Sequence, residues 1–361
     1  MQNVLVTGGA GFIGSNFIHF LLRVEPETLI VNLDALTYAG SLENLKGLPD
    51  PERHIFVQGD ICDSSLVISL LQKYKINTII HFAAETHVDR SIVGPGQFIH
   101  TNIIGTFTLL EAARKYWLEG SHFSVENVRF HHVSTDEVYG SLKPNEPAWT
   151  EDIPYAPNSP YAASKAASDH LVRSYFHTYG LPISITNCSN NYGPRQFPEK
   201  LIPLAISNAI NGNPIPIYGD GMNIRDWLFV EDHCEAIWQV VRRAPNGETF
   251  NIGGGNQPTN LELVRSICGI LDCKLPQSQH VPHESLIELV RDRPGHDRRY
   301  AMDSTKIGQA LGWEPRQWLE SGLEKTIDWY LNNPEWSTAV GEKADYQEWL
   351  DINYKKRGNS S

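Results

Sequence analysis

The sequence has no paired cysteines, no excess of positive charge and no long apolar run, and each absence excludes a class of protein. Its five cysteines form no C-x-x-C pair and are odd in number, which favours reduced thiols over a disulfide framework. A net charge of −12 argues against nucleic acid as the main partner, because phosphate binding requires a basic surface. No apolar run approaches the ~18 residues that span a bilayer, and no basic-then-apolar leader opens the chain. The sequence therefore predicts a soluble cytoplasmic protein that binds neither membranes nor nucleic acid.

No group of residues has the spacing of a metal site. Cys268 and Cys273 have no histidine or further cysteine at zinc spacing beside them. His131 and His132 are consecutive in a predicted strand, so their side chains point to opposite faces and cannot share an ion. We therefore expect no bound metal.

A glycine-rich turn follows the first predicted strand. Residues 3–7 form the short apolar, β-branched run of a buried strand. Gly8, Gly11 and Gly14 come next and lead into a helical pattern that continues to about Arg23. Glycines in this order allow a tight turn and the close approach of the backbone to a pyrophosphate at the helix N-terminus. The spacing is G-x-x-G-x-x-G, which on its own also fits a simple turn.

The second predicted strand supports a dinucleotide site. It covers residues 29–33 and ends in Asp34, 20 residues beyond Gly14. A carboxylate at about this distance holds the ribose hydroxyls and repels a 2′-phosphate. The pair of features predicts NAD, in preference to NADP, as the cofactor.

Strands and helices then alternate. We predict strands at residues 54–57, 78–82 and 128–133, and helices at about residues 63–74 and 97–116. This alternation is typical of a parallel, doubly wound, Rossmann-like α/β sheet. Ligands of such sheets bind beyond the carboxyl ends of the strands.

Two groups of residues at these strand ends carry potential chemistry. Thr135, Asp136 and Glu137 follow the strand at 128–133, where a hydroxyl and two carboxylates would face a ligand. Taken alone, Asp136 and Glu137 would more often be solvated turn residues. Tyr161 and Lys165 share one face of the next helix. A buried phenol beside an ammonium group has a lowered pKa, so we expect Tyr161 to act as a base near neutral pH.

These features together resemble the extended short-chain dehydrogenase/reductase family. Within it, residues 83–91, 135–137 and 187–194 are similar to the motifs of the dTDP-glucose 4,6-dehydratases, and the likeness extends from residue 2 to about residue 330. Thr86 departs from the usual serine of its motif, but it keeps the hydroxyl and little change is expected.

The resemblance implies an NAD-dependent lyase that converts dTDP-glucose to dTDP-4-keto-6-deoxyglucose and water. Tyr161 would take the proton of the sugar 4-hydroxyl while NAD accepts the hydride of carbon 4, with Thr135 bonded to that oxygen and Lys165 supporting the phenolate. Glu137 would then remove the carbon-5 proton, and Asp136 would protonate the departing 6-hydroxyl. The hydride would return to carbon 6. Opposite roles for two carboxyl groups require opposite protonation states.

The resemblance also implies the binding residues. The cofactor residues are Gly8, Gly11, Phe12, Ile13, Gly14, Asp34, Asp60, Ile61, Ala83, Ala84, Thr101, Tyr161, Lys165 and Asn191. The substrate residues are Glu85, Thr86, Thr135, Asn190, Lys200, Leu201, Pro216, Ile217, Tyr218, Arg225, Asn260, Arg291 and His296. Guanidinium groups such as those of Arg225 and Arg291 suit a diphosphate.

The second half of the chain is richer in Pro, Gly and Asn, and we expect it to bind the substrate. An NAD-binding Rossmann domain is predicted at residues 1–187 and a smaller, interleaved nucleotide-sugar domain at residues 188–361, with about residues 228–254 returning to the first. The resemblance further implies a homodimer that packs through the helices near residues 97–116 and 161–179. The sequence itself shows only two long amphipathic helices there, whose exposed faces could equally be the surface of a monomer. Residues 336–361 are expected to form a C-terminal helix with a frayed end.

Two other functions fit parts of the pattern. A nucleotide-sugar 4-epimerase or decarboxylase would share the fold; an epimerase needs no acid–base pair for water loss, and a decarboxylase commonly has Ser in place of Asp136. A catalytically silent NAD-binding sensor would be expected to have lost Thr135, Tyr161 or Lys165, and the sequence keeps all three.

Overall fold

A computed structural model describes residues 3–120, 123–292 and 296–341 of the 361. Its central element is a parallel sheet of seven strands: β1 Asn3–Thr7, β2 Leu29–Asp34, β3 His54–Gln58, β4 Thr78–His81, β5 Arg129–Thr135, β6 Ile183–Cys188 and β10 Glu248–Ile252. Their order across the sheet is β10-β6-β5-β4-β1-β2-β3. Two smaller parallel pairs join β7 Asn190–Tyr192 to β9 Trp227–Phe229 and β8 Ile215–Tyr218 to β11 Ile287–Val290.

Helices cover both faces of the sheet and build the second half of the chain. They are α1 Phe12–Val24, α2 Ser64–Lys73, α3 Val88–Val93, α4 Pro95–Phe98, α5 Thr106–Ala113, α6 Pro160–Tyr179, α7 Leu201–Asn211, α8 Val230–Arg243, α9 Asn260–Lys274, α10 Thr305–Leu311, α11 Leu319–Asn332 and α12 Pro334–Gly341. Short 3₁₀ turns occupy Leu42–Leu45, Pro51–Arg53, Val125–Asn127, Asp136–Tyr139 and His283–Leu286. Within the described ranges, no helix combines the length and apolarity needed to cross a bilayer.

The alternation of side chains along β1 explains the two-sided core. Leu5 packs on one face of the sheet with residues of α2, α5 and α6, while Val4 and Val6 pack on the other with α1 and α8. Successive residues of a strand point to opposite faces, so a strand that is apolar throughout is covered on both sides. The predicted Rossmann-like sheet is confirmed, and its strand order reverses beside β1, where nucleotides bind in such folds.

The predicted helix at residues 97–116 is part of a longer helical run over residues 95–119. The wider turns of two π-helical segments, Ile99–Gly105 and Arg114–Glu119, interrupt it. Such segments are rare and often accompany functional sites. Thr101 in the first of them lines the larger cavity described below.

A late segment of the chain completes the first sheet. Residues 230–243 form α8, whose Cys234 and Ile237 pack with Phe17 and Ile18 of α1. Strand β10 then pairs in register with β6, Glu248 opposite Ser184 and Ile252 opposite Cys188. We propose on this basis that residues 228–254 belong with the cofactor-binding half.

The second half has its own core. Apolar residues of α7, α9 and α11 pack with β8 and β9 around Ile217, Leu263 and Leu323, all of which are fully buried or nearly so. Helix α7 begins at Leu201, directly after Lys200, which is in an extended conformation. The C-terminal helix is present as α12, and the frayed end expected after it lies outside the described residues.

Candidate active site

Two adjoining cavities lie at the carboxyl ends of the strands. The larger, about 310 Å³, extends from the glycine turn after β1 to the end of β5. The smaller, about 190 Å³, continues from there towards α7 and β8. Their shared wall consists of Thr86, Glu137, Asn190, Asn191, Gln196, Glu199 and Lys200. A ligand that occupies both cavities must pass Glu137.

The glycine turn brings the backbone close to the floor of the larger cavity. Gly8 has a φ of +71°, and a Cβ there would lie 2.6 Å from the backbone nitrogen of Ala83. A Cβ on Gly14 would lie 2.3 Å from the carbonyl oxygen of Gly8. Neither position accepts a side chain, so backbone N–H groups at the start of α1 line the cavity directly.

Asp34 connects the end of β2 to the same turn. One carboxylate oxygen accepts a hydrogen bond from the backbone N–H of Ala10 and the other from that of Leu36, each at 2.8 Å. The side chain is buried and lines the larger cavity. A carboxylate oxygen has lone pairs for further donors, so Asp34 can hold the turn and accept ribose hydroxyls as well.

All of the predicted cofactor residues line the larger cavity. These are Gly8, Gly11, Phe12, Ile13, Gly14, Asp34, Asp60, Ile61, Ala83, Ala84, Thr101, Tyr161, Lys165 and Asn191. The glycine turn, the carboxylate beyond it and the small residues after β4 fit a dinucleotide laid across the sheet. We propose that they bind NAD.

Asp60 also belongs to a group that the sequence did not bring to attention. Ligand atoms of Asp60, Cys62 and His100 lie within 4.8 Å of one another. Asp60 lines the larger cavity, and its Oδ1 accepts the backbone N–H of Cys62 at 2.8 Å. We assign Asp60 to the wall of the larger cavity. The expectation that the protein binds no metal stays a prediction.

Thr135 and Asp136 lie buried at the end of β5. The Thr135 hydroxyl donates to Asp136 Oδ1 at 3.2 Å, while Asp136 Oδ2 has no hydrogen-bond partner among the described residues. Burial, followed by the charges of Glu137 and Asp226, raises the pKa of Asp136 well above its usual range. Burial and the neighbouring charges therefore favour the protonated form of Asp136, which is the form in which a general acid acts.

Tyr161 and Lys165 enter the cavity from the first two turns of α6. Ser159 caps this helix by accepting the backbone N–H of Ala162 at 3.0 Å, and Pro160 occupies the first turn, where its missing N–H removes no bond. The Lys165 ammonium donates to the carbonyl oxygen of Val133 at 2.9 Å. The predicted spacing thus places both side chains beside Thr135 in the cavity wall.

The prediction that Tyr161 has a lowered pKa beside Lys165 is wrong for the protein alone. Burial, and next the charge of Glu137, raise the pKa of Tyr161 well above its ordinary value, although a hydrogen bond with Thr135 lowers it. The sequence showed the ammonium four residues away, but it could not show that a carboxylate also faces the phenol. Burial and the charge of Glu137 thus favour the protonated form of Tyr161 in the protein alone.

The predicted substrate residues divide between the two cavities. Glu85 and Thr135 line only the larger cavity, and Thr86, Asn190 and Lys200 line both. The others that line the smaller one are Leu201, Pro216, Ile217, Tyr218, Arg225, Asn260 and His296. Arg291 is exposed and lines neither, and it lies beside residues 293–295, which the structure does not describe. Its role in substrate binding stays a prediction.

Several site residues escaped the sequence reasoning. Glu199 is buried, lines both cavities and lies 3.6 Å from His87 Nε2 and 3.7 Å from an Arg90 nitrogen. Tyr300 lines the smaller cavity, and its ring packs 4.2 Å from the Arg225 guanidinium carbon. Neither residue lies in a recognisable motif, because packing between distant segments brings both to the site.

Known proteins resemble this chain over nearly its whole length. A dTDP-glucose 4,6-dehydratase of Xanthomonas campestris pv. campestris is 56% identical over 340 residues, which cover 94% of this chain and 96% of the relative. A dTDP-glucose 4,6-dehydratase of Salmonella typhimurium is 52% identical over an alignment that covers 99% of this chain and 100% of the relative. The chain belongs to the dTDP-glucose 4,6-dehydratase family.

Other comparisons place the family among its structural relatives. The model of a broader family, described as GDP-mannose 4,6 dehydratase, matches residues 5–326. A dTDP-glucose 4,6-dehydratase from Streptomyces venezuelae, solved with NAD and TYD bound, is 46% identical with a TM-score of 0.84 and covers 94% of this chain and 100% of its own. A UDP-glucose 4-epimerase from Thermotoga maritima is 28% identical with a TM-score of 0.79, and the match covers 92% of this chain and 100% of the epimerase. Dehydratases and epimerases thus share this fold.

Proposed function

We propose that this chain is an NAD-dependent lyase that converts dTDP-glucose to dTDP-4-keto-6-deoxyglucose and water. The observation that carries the proposal is the pair of adjacent carboxyl groups at the end of β5. Burial raises the pKa of Asp136 and so favours its protonated form, and Glu137 lines both cavities. Elimination of water requires an acid and a base at neighbouring carbons, and this pair supplies both. Relatives of the family bear the name of this reaction.

The residues of the larger cavity support oxidation at carbon 4. Bound NAD would accept the carbon-4 hydride and later return it to carbon 6. Tyr161, as a phenolate that Lys165 stabilises, takes the proton of the 4-hydroxyl and becomes a phenol, while Thr135 donates a hydrogen bond to the same oxygen. Their buried positions exclude water from the oxygen that changes charge.

The carboxyl pair carries the second stage. A ketone at carbon 4 acidifies the hydrogen on carbon 5, which Glu137 removes as the base. Asp136 gives its proton to the departing 6-hydroxyl. Because Glu137 lies on the wall that both cavities share, it can meet a sugar whose nucleotide occupies the smaller cavity.

The decisive experiment is mass spectrometry of dTDP-glucose after incubation with the purified protein, with and without added NAD. We expect the sugar nucleotide to lose one water. An unchanged mass with galactose in the product would instead identify an epimerase, and loss of carbon dioxide from a nucleotide sugar acid would identify a decarboxylase. No change with any nucleotide sugar offered would favour the silent NAD-binding protein.

Replacing Asp34 with Asn is expected to weaken the preference for NAD over NADP by about tenfold, equivalent to ~1.4 kcal/mol. The amide keeps an acceptor for the N–H of Ala10 or Leu36 but loses the charge that repels a 2′-phosphate. Fluorescence titration with both cofactors measures the ratio. Asp50, at the 3₁₀ turn before β3, is the control, since its Asn variant should bind as the wild type does. An unchanged ratio in Asp34→Asn would remove Asp34 from the ribose site.

We also propose a homodimer that packs through residues 95–119 and α6. This helical face exposes large apolar side chains, including Ile99 at 53%, Ile104 at 44%, Phe107 at 45% and Tyr179 at 49%. Exposed apolar patches of this kind commonly mark protein interfaces. A cytoplasmic location is part of the same proposal, and five free thiols fit a reducing compartment.

Phe107→Glu is expected to convert the dimer to a 40.6 kDa monomer, because a charge would be buried in the interface. Light scattering after size-exclusion chromatography measures the mass. Trp318 is 77% exposed before α11, on another part of the surface, so Trp318→Glu should leave the mass of the dimer unchanged. A monomeric wild type, or a dimer in the Phe107 variant, would contradict the proposed interface.

A further inference from the structure

Buried polar groups that the proposed reaction does not use lie behind Lys165. His132 Nε2, on β5, lies 3.3 Å from the Lys165 ammonium nitrogen and 3.2 Å from Asp169 Oδ1. Lys165 is 4% exposed, Asp169 2% and His132 0%. One ring nitrogen therefore lies between a buried cation and a buried carboxyl group.

Asp169 is fixed in this position from several sides. It follows Lys165 by one turn of α6, which places both side chains on the same helical face. Its Oδ2 accepts hydrogen bonds from the Ser134 hydroxyl at 2.8 Å and from Asn187 Nδ2 at 3.4 Å. Removing a carboxyl group from water is unfavourable unless its charge is compensated, and Lys165 is the cation that compensates it.

The negative charge of Asp169 and the positive charge of Lys165 stabilise each other. Burial lowers the pKa of Lys165, and the charge of Asp169 opposes that change. Burial raises the pKa of Asp169 to about 6, and the charge of Lys165 opposes that change. Burial, with a further contribution from the Lys165 charge, holds the pKa of His132 well below its usual value, so the imidazole is neutral.

We propose that Asp169, together with His132, is the positioning residue that keeps Lys165 charged and aimed at Val133 in the cavity wall. Among the described residues, Asp169 lines neither cavity, so it acts through Lys165 and does not touch the substrate. The inference rests on the proposed function in one respect: the charge of Lys165 must matter for oxidation by Tyr161.

Burial also shifts the pKa values of the other titratable groups around the pair, in each case in favour of the neutral form. On β4, burial lowers the pKa of His81, whose ring centre is 5.1 Å from that of His132. Burial likewise lowers the pKa of His131, the neighbour of His132 on β5. The remaining groups are Tyr139, Tyr155, Tyr161, Cys188 and Asp136, and burial raises the pKa of each. Burial thus favours the neutral form of each of these groups, whereas the opposite charges of Asp169 and Lys165 support each other.

The pH profile of sugar oxidation tests the proposal. Asp169→Asn removes the negative charge that favours the ammonium form of Lys165, so the pKa of Lys165 should fall. The alkaline limb of the profile should therefore move to lower pH by about 1 unit or more. Asp169→Glu restores the charge and should return the limb towards its wild-type position. The control is Asp232→Asn, which removes another buried carboxyl group, one that accepts the backbone N–H groups of Arg316 and Gln317. Both limbs of the control should stay where they are.

A purely structural role predicts a different result. Asp169→Asn would then lower the rate by the same factor at every pH, with both limbs unmoved, and the proposal would be overturned. A wild type that oxidises no sugar would refute the proposed function instead, and a second measurement then decides the inference.

That measurement is thermal unfolding, which needs no activity. Because its pKa is raised, Asp169 contributes stability when protonated, and this contribution is lost as the pH rises through about 6. The Tm of wild type should therefore fall relative to that of Asp169→Asn as the pH rises from about 3.8 to about 6. In a Lys165→Met background the same change should move to higher pH, because the ammonium no longer favours the carboxylate. If it does not move, the two groups are not coupled and the inference fails.

Discussion

Glu137→Gln is expected to lower the rate of water loss by about 10²–10⁴-fold while the variant still oxidises the sugar. Glutamine keeps the size of the side chain but cannot accept the carbon-5 proton. Tyr161, Thr135 and Lys165, which carry the oxidation, are unchanged. The variant should therefore accumulate reduced cofactor and oxidised sugar, measured by nicotinamide absorbance and by the mass of the sugar nucleotide.

The same variant should shift the pH dependence of oxidation. The charge of Glu137 raises the pKa of Tyr161 and of Asp136. Removing that charge lowers both pKa values, so the acid limb of the oxidation profile should move to lower pH. A limb that stays in place would show that Glu137 does not face the phenol closely enough to act on it.

The matched control is Glu324→Gln, which changes an exposed glutamate on α11. It should leave both the rate of water loss and the pH profile as in the wild type. If Glu137→Gln still eliminates water at the wild-type rate, the base is another group and the proposed role of Glu137 is wrong.

Gly8→Ala is expected to lower the affinity for NAD by at least about tenfold. Two effects combine at this position. The φ of +71° is strained by roughly 1–2 kcal/mol for any residue with a Cβ. The added Cβ would also collide with the backbone of Ala83, at 2.6 Å, and must push apart the ends of β1 and β4.

Gly47 separates the two effects. It has nearly the same φ, +70°, but a Cβ there would meet no atom within 4 Å. Gly47→Ala should therefore be less stable because of backbone strain, but it should bind NAD with wild-type affinity. Gly8→Ala should be less stable and should also bind NAD more weakly. Thermal unfolding and NAD titration of the two variants give the comparison. Equal NAD affinity in both would mean that the turn after β1 does not hold the cofactor.

The sequence predicted best those features that local chemistry requires. The glycine turn, the carboxylate of Asp34 and the Tyr161–Lys165 spacing each serve one chemical need at a fixed distance along the chain, and the structure brings all of them to one cavity. The parallel, doubly wound form of the sheet followed from the alternation of apolar strands and helices, although its number of strands did not.

The features that the sequence did not predict depend on contacts between segments that are far apart along the chain. The pKa of Tyr161 is raised because burial and Glu137 outweigh the expected effect of Lys165. Asp169 meets His132 only because α6 packs on β5. The π-helical turns of residues 99–105 and 114–119 likewise have no marker in the residue pattern.

The position of β10 has a consequence for synthesis on the ribosome. This strand comes from residues 248–252 but pairs with β6, which ends 60 residues earlier, at Cys188. Until residue 252 has left the exit tunnel, the nascent chain carries β6 as an unpaired edge of buried residues, the kind of surface that attracts other chains. A message truncated before that point should yield aggregates, and chaperones should engage the nascent chain until β10 docks.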